Sequence, residues 1–512
     1  MSFQPLTRLM TWIEEKRGVP FWLSFFVFLL VTVPMGVLRP YWYDELSARW
    51  LAEAPNLAEF VSRVKAGVEP TPPGYLFIQY LALHALGWSE WTTRVPSMIG
   101  YGVALCGLYC FVKRRLDAMA GALAMAVMIL SGSIYYAQEA RPYGMVFGAT
   151  ALAMCLWQKY VDQERAKYVI WMAFWLFLAA SLHYYAVLLG VPFGIWALSR
   201  IWIKRRIDWG ALVAASAPGI ALIVHLPLIR LAMSEQSDPK FSWSQPSFAF
   251  PAKFWERALE PGLLTIAFLT LLVLWIWRGV QRGPAQPARE TETARLPLEE
   301  LILLTGFVLI PVGGTIFAKL VTNAITPRYV FTAMLGYSVL AAHVLTRLAP
   351  AGRAWILALL LVGGAGNGLL DLRWLIKSPP PGAFSIPEVA GAPPAVVDDY
   401  LLYAVLGRYA PPEVFSRLVY VTDRKNLTRY TKSGQMELGT VVAVRKGQFP
   451  GRSDYLDSFL QKEPRFLLFE PRRPEDNESF LSRSLWERGA TLSVASIQPD
   501  GRWFLVERGA AH

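Results

Sequence analysis

Two adjacent carboxylates stand at the end of the first long apolar segment. Asp44 and Glu45 occur in the stretch RPYWYDELSARW, directly after the nearly uncharged residues 20–40. A carboxylate held at a membrane border can take a proton from a hydroxyl group, which is general-base chemistry. The alternative is a pair of solvated charges at a helix start, where the helix dipole favours acids. Position alone leaves both interpretations open.

Further polar residues recur at the borders of other apolar segments. The candidates are Glu69 in EPTPPGYLF, Glu139, Arg141 and Tyr143 in YYAQEARPYG, His183 in HYYAVLL, and Arg328 and Tyr329 in TPRYVF. Charged groups within or at the border of a membrane are rare unless they are paired or face a cavity, so these residues suggest a functional site. Each also has a structural interpretation: an ion pair for Glu139, contact with lipid phosphates for Arg328, and an interfacial hydrogen bond for His183. The tyrosines are typical of an interfacial aromatic belt.

Together these residue types indicate one kind of reaction. Arginines bind phosphate through charge-assisted hydrogen bonds and stabilise the charge of a leaving phosphate. Together with a carboxylate that accepts the proton of an acceptor hydroxyl, they are the groups needed to displace a lipid phosphate from a sugar. A hydrophobic donor that arrives from the bilayer also explains why the sequence has no nucleotide-binding glycine motif.

The elements that must position these residues are membrane helices. A spanning helix needs about 20 mostly apolar residues. We expect about eleven, at 19–37, 94–112, 118–135, 143–158, 168–183, 185–203, 210–229, 261–279, 299–317, 329–346 and 354–373. The first lacks a small-residue cleavage site, so we expect a retained helix and not a signal peptide. The fold class is therefore a polytopic α-helical membrane protein.

The basic residues predict the orientation of these helices. The net charge of +12 comes from short Lys/Arg clusters between apolar segments, such as Lys113-Arg114-Arg115 and Lys204-Arg205-Arg206. Such clusters mark cytoplasmic loops, and their distribution argues against nucleic acid binding. The N-terminus is then cytoplasmic, and the candidate residues share the outer face. Eleven spans leave the C-terminus outside the cytoplasm.

A change in composition predicts a domain boundary. Of the 136 residues 377–512, 34 are charged, which is 25%, whereas the chain as a whole is only 17% charged. We expect a transmembrane domain at 1–376 with its first outer loop at 38–93, a Pro/Gly-rich linker at 377–395 and a soluble α/β domain at 396–512. Strands are predicted at 417–423, 440–446, 465–471 and 502–508, and helices in DSFLQKE and ESFLSRSLWERG.

The motifs resemble a known family. Five occur in a family-like order: WYDEL, PPGYLF, YYAQEARPYG, HYYAVLL and TPRYVF. Over roughly residues 20–375 the sequence resembles the polyprenyl-phosphate-dependent glycosyltransferases of the GT-C superfamily. The branch it resembles is family 39, which comprises the protein O-mannosyltransferases and their bacterial aminoarabinose transferase-like relatives.

The resemblance implies roles for individual residues. Asp44 takes the position of the catalytic base, Glu45 is the second acid of a frequent Asp-Glu pair, and Glu139 matches an acidic position in the second outer loop. Arg141 and Arg328, with the adjacent Tyr329, would bind the donor phosphate. Inversion at the anomeric carbon is expected by analogy. The implied partners are a polyprenyl-phosphate-linked sugar, an acceptor lipid, glycan or protein, and membrane lipids. The implied location is the bacterial inner membrane, with a periplasmic C-terminal domain.

Some features depart from the family or stay open. Thr71 stands where the aminoarabinose enzymes have a lysine before the Pro-Pro pair, which argues against that sugar. The eukaryotic mannosyltransferases have β-trefoil modules in a lumenal loop, and no such module fits between the helices predicted here. The cofactor is unknown; divalent ions occur in parts of the superfamily, and the candidate acids with His183 could supply ligands, but their spacing fixes no geometry.

Three other functions compete with this interpretation. A lipid or oligosaccharide transporter or flippase would place polar residues near helix centres, whereas the sequence gathers them at one interface. A membrane anchor for a binding tail would not need eleven spans. An oligosaccharide ligase differs only in its donor, a diphosphate-linked chain.

Overall fold

The protein divides into two compact units. The structure is a computed structural model that describes residues 12–13, 15–16, 18–65, 69, 71–234, 244–259, 296–346, 350–378, 384–430, 435–447, 449–472 and 479–508. The helical unit comprises Met1–Arg39, Thr71–Leu226 and Pro246–Lys377, and the sheet unit comprises Pro40–Pro70, Pro227–Gln245 and Ser378–His512. Residues 40–70 of the predicted first outer loop thus group with the C-terminal residues.

Helices dominate the chain up to residue 377. They are α1 Val19–Leu38, α2 Tyr43–Ala52, α3 Leu57–Lys65, α4 Pro73–Leu86, α5 Glu90–Arg115, α6 Ala118–Leu130, α7 Tyr143–Gln163, α8 Ala166–Leu182, α9 Gly190–Lys204, α10 Trp209–Val224, α11 Leu226–Ser234, α12 Leu298–Val308, α13 Ile310–Phe317, α14 Ala333–Leu345 and α15 Pro350–Lys377. Short 3₁₀ segments lie at Gly132–Ala137, Tyr184–Leu189 and Pro327–Tyr329, and a π-helical turn lies at Ala318–Thr322.

Long apolar helices confirm the predicted fold class, while the number of spans stays a prediction. Among the described residues, four helices are long and apolar enough to cross a membrane: Val19–Leu38, Glu90–Arg115, Tyr184–Lys204 and Gly352–Lys377. The pair α12 and Ile310–Thr322, bent by 49°, is a possible fifth span. Four further apolar helices, such as α6 and α8, are shorter. The predicted segment 261–279 lies outside the described residues.

The short helix α6 forms the centre of the helical unit. Its sequence AMAGALAMAVMIL favours a helix through alanine, and Asp117 caps it by accepting a hydrogen bond from the Ala120 N–H at 2.8 Å. Residues 119–130 are all buried. Helices α1, α5, α14 and α15 pack around it. Small side chains allow this close approach where lipid gives no hydrophobic driving force between helices.

Ion pairs join the ends of helices that carry the basic clusters. The fully buried Arg200 binds Glu164 at 2.6 Å, Asp208 at 2.8 Å and Glu299 at 2.8 Å. Arg115 binds Glu300 at 2.8 Å. A buried guanidinium is tolerated because several carboxylates satisfy its donors. The basic residues that the sequence assigns to topology therefore also tie helix ends together.

The sheet unit contains one mixed six-stranded sheet. After residue 377 the elements are β1 Ala395–Val397, α16 Tyr400–Tyr409, α17 Pro412–Arg417, β2 Leu418–Thr422, α18 Leu427–Tyr430, α19 Gln435–Arg445, β3 Ser453–Tyr455, α20 Leu456–Lys462, β4 Arg465–Pro471, α21 Phe480–Trp486, β5 Ala490–Gln498 and β6 Gly501–Arg508. The strand order is β3-β2-β1-β4-β6-β5. Strands β1 to β4 pair in parallel, and β6 pairs antiparallel with β4 and β5. The predicted small α/β domain is confirmed.

One predicted strand of this unit is wrong. Residues 440–445 of the predicted strand 440–446 belong to helix α19, which ends at Arg445. The β-branched run TVVAV favours a strand by propensity, but Glu437, Thr440, Val441 and Val444 are buried at helical spacing. One helical face packed against β2 and β3 outweighs the local preference. The predicted strands at 417–423, 465–471 and 502–508 are confirmed as β2, β4 and β6.

Candidate active site

The connector between α6 and α7 carries Glu139 and Arg141. Both side chains are buried, with 2% and 6% exposed. Two side chains from other helices hold the connector's backbone: the Tyr75 hydroxyl donates to the Ala140 carbonyl, and the Ser97 hydroxyl donates to the Arg141 carbonyl. The connector is therefore fixed from α4 and from α5, which positions both charged groups.

A glycine contact sets how closely α7 approaches α5 beside this connector. A Cβ atom added to Gly144 would lie 2.2 Å from the Ser97 carbonyl oxygen, and one added to Gly148 would lie 2.5 Å from the Gly100 carbonyl oxygen. Only glycine fits at such backbone contacts. Since Gly144 lies three residues after Arg141, the same contact that packs the helices also places the arginine.

Gly144→Ala is expected to move the start of α7 away from α5. We expect a lower melting temperature and a weaker affinity for a lipid phosphate, because overpacking costs about 1–3 kcal/mol and displaces Arg141. Thermal unfolding in detergent and equilibrium binding of a polyprenyl phosphate measure the two effects. Gly194→Ala is the matched control, since a Cβ there meets no atom within 4 Å. Equal melting temperatures for the two variants would contradict this role of Gly144.

Glu139 lies beside a cation that the sequence-based prediction did not include. The Arg39 Nη2 atom is 4.0 Å from the Glu139 Oε1 atom, and the Arg39 guanidinium lies 4.6 Å from the ring centroid of Tyr135. Arg39 directly follows α1, and Arg94 Nη1 donates to its carbonyl. This geometry favours an ion-pair role for Glu139, while its predicted catalytic role stays a prediction.

A row of aromatic rings includes three of the candidate residues. Tyr136 lies 5.0 Å from Tyr143, Tyr143 lies 5.0 Å from His183, and His183 lies 5.1 Å from Tyr329, measured between ring centroids. Tyr185 stacks on Tyr329 at 4.2 Å. The sequence motifs YYAQEARPYG, HYYAVLL and TPRYVF thus supply neighbouring side chains in the helical unit.

Two arginines act electrostatically on this row. His183 lies in the turn between α8 and the Tyr184–Lys204 span, and burial, together with Arg141 and Arg328, lowers its pKa to about 3. The imidazole is therefore neutral near pH 7. Burial also raises the pKa of Tyr136; Glu139 adds to this shift, while Arg257 and Arg328 oppose it. Arg257 is an exposed cation on the helical residues 250–259 that the sequence analysis did not single out.

These residues form a cationic cluster, defined here as Arg141, Arg328, His183 and Tyr329. Arg141 also donates to the Thr71 hydroxyl at 3.3 Å, the position that is lysine in the aminoarabinose enzymes. Guanidinium groups beside a neutral imidazole and aromatic rings can bind an anion. The cluster can therefore hold a phosphate.

The other candidate acids lie in the sheet unit. Asp44 is 7% exposed in the first turn of α2. Glu45 closes a capping box, since its Oε2 accepts the Trp42 N–H at 3.3 Å. The Ser47 hydroxyl lies 3.1 Å from the Asp44 carbonyl oxygen and within hydrogen-bonding distance of Glu69 Oε2. The structure therefore groups Asp44 with Glu69 and gives Glu45 a local structural role.

An acid of α19 joins this group. Burial raises the pKa of the Tyr43 hydroxyl, a hydrogen bond to Thr440 opposes this shift, and the negative charges of Glu69, Asp44 and Glu437 add to it. Glu437 is thus close to the candidate base, although it was missed by the sequence analysis. No local signal marks it, because its neighbours in QMELG look like an ordinary helix surface.

Aromatic contacts within the sheet unit hold α2 in place. The Tyr41 N–H donates to the Tyr409 hydroxyl at 2.7 Å. Tyr43 packs edge-on against Tyr400 at 4.9 Å, and the Trp50 ring lies 3.7 Å from Phe449. The C-terminal residues therefore position the helix that carries Asp44.

Phe449→Ala is expected to loosen α2 and so to misplace Asp44. If Asp44 is the base that the sequence predicts, kcat for the predicted sugar transfer should fall by up to about 100-fold, since small misplacements of a reacting group have effects of that size. The KM for the donor should stay unchanged. Steady-state kinetics of the purified protein give both values. Trp486→Ala, at an exposed aromatic of the same unit, is the control. A rise in KM with kcat intact would argue against positioning.

The described residues contain no preformed metal centre. No group of three or more His, Cys, Asp or Glu side chains in the described ranges is arranged to hold a metal ion. The three cysteines, Cys106, Cys110 and Cys155, are free thiols.

Comparisons with known proteins agree with the predicted superfamily. Residues 70–228 match the family profile "Dolichyl-phosphate-mannose-protein mannosyltransferase". This range includes Glu139, Arg141, Tyr143 and His183. A search of curated protein sequences gave no significant match.

Two solved structures share the fold. ArnT from Cupriavidus metallidurans bound to undecaprenyl phosphate matches with a TM-score of 0.57 and 12% sequence identity, over 97% of this chain and 99% of ArnT. The apo state of the same protein matches with a TM-score of 0.56 and 14% identity, over 96% and 97%. At this identity the likeness shows the fold alone. With its apolar helices, the chain is a multi-pass membrane protein of this fold, and the profile match and the shared fold both agree with the predicted resemblance to the GT-C superfamily.

Proposed function

We propose that this protein is a membrane glycosyltransferase. It moves a sugar from a polyprenyl-phosphate donor to an acceptor hydroxyl at the outer face of the bacterial inner membrane. The observation that carries the proposal is the cationic cluster, in which the Tyr329 ring lies 5.1 Å from His183 and 5.7 Å from the Arg328 guanidinium, with Arg141 close enough to lower the pKa of His183. The undecaprenyl phosphate bound to ArnT supports a donor of the same chemical kind.

The donor phosphate binds through the arginines of the cluster. Arg141 is buried and its guanidinium donates to the Thr71 hydroxyl, which holds the guanidinium in position as the donor arrives. Arg328 is half-buried and lies 5.7 Å from the ring of Tyr329. Paired N–H donors stabilise the charge that the phosphate gains when its bond to the sugar breaks. Preorganised donors are most effective where water is excluded.

Asp44 is the general base of the transfer. Its carboxylate takes the proton of the acceptor hydroxyl while the hydroxyl oxygen attacks the anomeric carbon. The bond between that carbon and the phosphate oxygen breaks, and its electron pair leaves with the polyprenyl phosphate. One displacement of this kind inverts the anomeric configuration. Glu69, which accepts a hydrogen bond from the Ser47 hydroxyl and acts with Asp44 on the Tyr43 hydroxyl, orients the acceptor.

The predicted orientation and domain division belong to this proposal. The N-terminus is cytoplasmic, the transmembrane domain covers 1–376, and the α/β domain at 396–512 is periplasmic behind the linker at 377–395. The contacts of Tyr409 and Phe449 with residues of the 40–54 region support a role of this domain in holding the catalytic loop.

Lipid analysis tests the proposed function. Cells that lack the protein should accumulate a polyprenyl-phosphate-linked sugar, and cells that overproduce it should be depleted of that lipid, as measured by mass spectrometry. A lipid or oligosaccharide flippase is the alternative, and it would make no covalent product. Purified protein in detergent should release polyprenyl phosphate from the donor when acceptor is present. Unchanged lipids together with no release would refute the proposal.

A further inference from the structure

We propose that a groove between α1, α5 and α7 is a binding site for an anionic phospholipid, separate from the cationic cluster. The groove has a volume of about 870 Å³, within the range of roughly 300–1,000 Å³ that is usual for ligand sites. The inference does not depend on the proposed function, because it concerns other side chains and another ligand.

The lining of the groove is apolar along most of its length and polar at one end. Phe25, Leu29, Val95 and Ile99 are typical of the apolar part, and the side chains with charge or an amide are Arg114, Gln158 and Lys159. These three lie near the ends of α5 and α7 that carry the basic clusters. Such a polarity matches a lipid with its phosphate at the basic end and its chains along the apolar part.

The polar end carries an excess of positive charge. Lys113, Arg114 and Arg115 lie in the last turn of α5, and Lys159 lies four residues before the end of α7. The carboxylates that pair with them in the described residues are Asp162, at 2.6 Å from Arg114 and 2.7 Å from Arg115, and Glu300, at 2.8 Å from Arg115. The side chain of Lys159 is exposed.

This excess of positive charge favours a lipid with an anionic headgroup. Basic pockets between membrane helices on the cytoplasmic side bind anionic headgroups. The topology predicted from the sequence places this end of the helices in the cytoplasmic leaflet. A phosphatidylglycerol-type lipid supplies the phosphate charge without the choline cation that Lys159 and Arg114 would repel.

The cysteines give a direct readout of occupancy. All three cysteines of the chain, Cys106, Cys110 and Cys155, line the groove. A bound acyl chain would cover them and slow their reaction with N-ethylmaleimide. No cysteine elsewhere in the chain contributes to the signal.

The test uses the full-length protein in nanodiscs of phosphatidylcholine with increasing phosphatidylglycerol. We expect phosphatidylglycerol to slow maleimide labelling and to remain bound in native mass spectra, in preference to phosphatidylcholine. Lys159→Gln should weaken this retention about fivefold, as expected for one removed cation near the membrane surface. Arg114→Gln should act in the same direction. Arg206→Gln is the control, since Arg206 is a basic-end cation that pairs with Glu164 and lies outside the groove lining.

Two results would overturn the site. One is equal retention of the two phospholipids, or retention that Lys159→Gln does not change. The other is protection of the cysteines by undecaprenyl phosphate that depends on Lys159, which would assign the groove to the donor lipid. Neither cysteine labelling nor lipid retention requires enzymatic turnover, so a protein preparation without transferase activity still tests the lipid site.

Discussion

Asp44→Asn is expected to abolish sugar transfer by the purified protein. The amide keeps the size of the side chain in the first turn of α2 but cannot accept the hydroxyl proton. Loss of a general base lowers kcat by about 10²–10⁴-fold. Because the substitution removes an interaction made only in the transition state, the KM for the donor should change little. Turnover of a polyprenyl-phosphate sugar measures both quantities.

The neighbouring acid provides the matched control. Glu45→Gln keeps an oxygen that can accept the Trp42 N–H and so retains the capping box at the start of α2. We therefore expect near-normal kcat and a small change in melting temperature. If Glu45→Gln lost transfer as completely as Asp44→Asn, Glu45 would be a catalytic acid, as the family resemblance suggests. Normal turnover of Asp44→Asn would remove Asp44 from the mechanism.

Arg328→Gln is expected to weaken donor binding strongly. The substitution removes charge-assisted hydrogen bonds to the phosphate, each worth about 1.5–3 kcal/mol, which corresponds to roughly 10–100-fold in affinity. Since the leaving phosphate gains charge in the transition state, kcat should fall as well. Equilibrium binding of undecaprenyl phosphate, followed by single-turnover kinetics, separates the two effects.

Two further variants sharpen this expectation. Arg328→Lys keeps the charge but loses the planar pair of donors, so it should restore part of the affinity and little of kcat. Lys319→Gln removes an exposed cation that lies 4.3 Å from the Phe248 ring and outside the cationic cluster. A comparable loss of affinity for Lys319→Gln would show that general surface charge, and not Arg328, attracts the donor.

The helices and the motif order were predictable because a membrane helix and its polar borders are both visible as a local pattern of apolar and polar residues in the sequence. Ten of the eleven predicted segments overlap helices of the structure. The number of spans was less predictable, because α6 has only 13 residues and the chain bends by 49° between α12 and α13. Pro311 lies in the first turn after that bend and cannot donate a backbone hydrogen bond. A hydropathy pattern does not record such a bend.

The neighbours of the candidate residues were not predictable, because contacts across the fold decide them. Arg39 was read as part of a motif, yet its position beside Glu139 depends on how α1 packs near the connector. Glu437 approaches Tyr43 only because residues 440–445 belong to a helix in place of the strand predicted at 440–446. Burial of one helical face decided that outcome, and no single-sequence pattern measures such burial.

The low pKa of His183 has a consequence for the conditions under which the protein works. A group with a pKa near 3 keeps the same charge from pH 8 down to about pH 4. The imidazole therefore adds no charge to the cluster as the surrounding medium acidifies over this range. In the unfolded chain the same histidine takes up a proton below about pH 6.5. Its contribution to stability is therefore complete above pH 6.5 and declines as the pH falls toward 3. Acidification is therefore expected to lower the folding stability before it changes the charge of the imidazole in the folded protein.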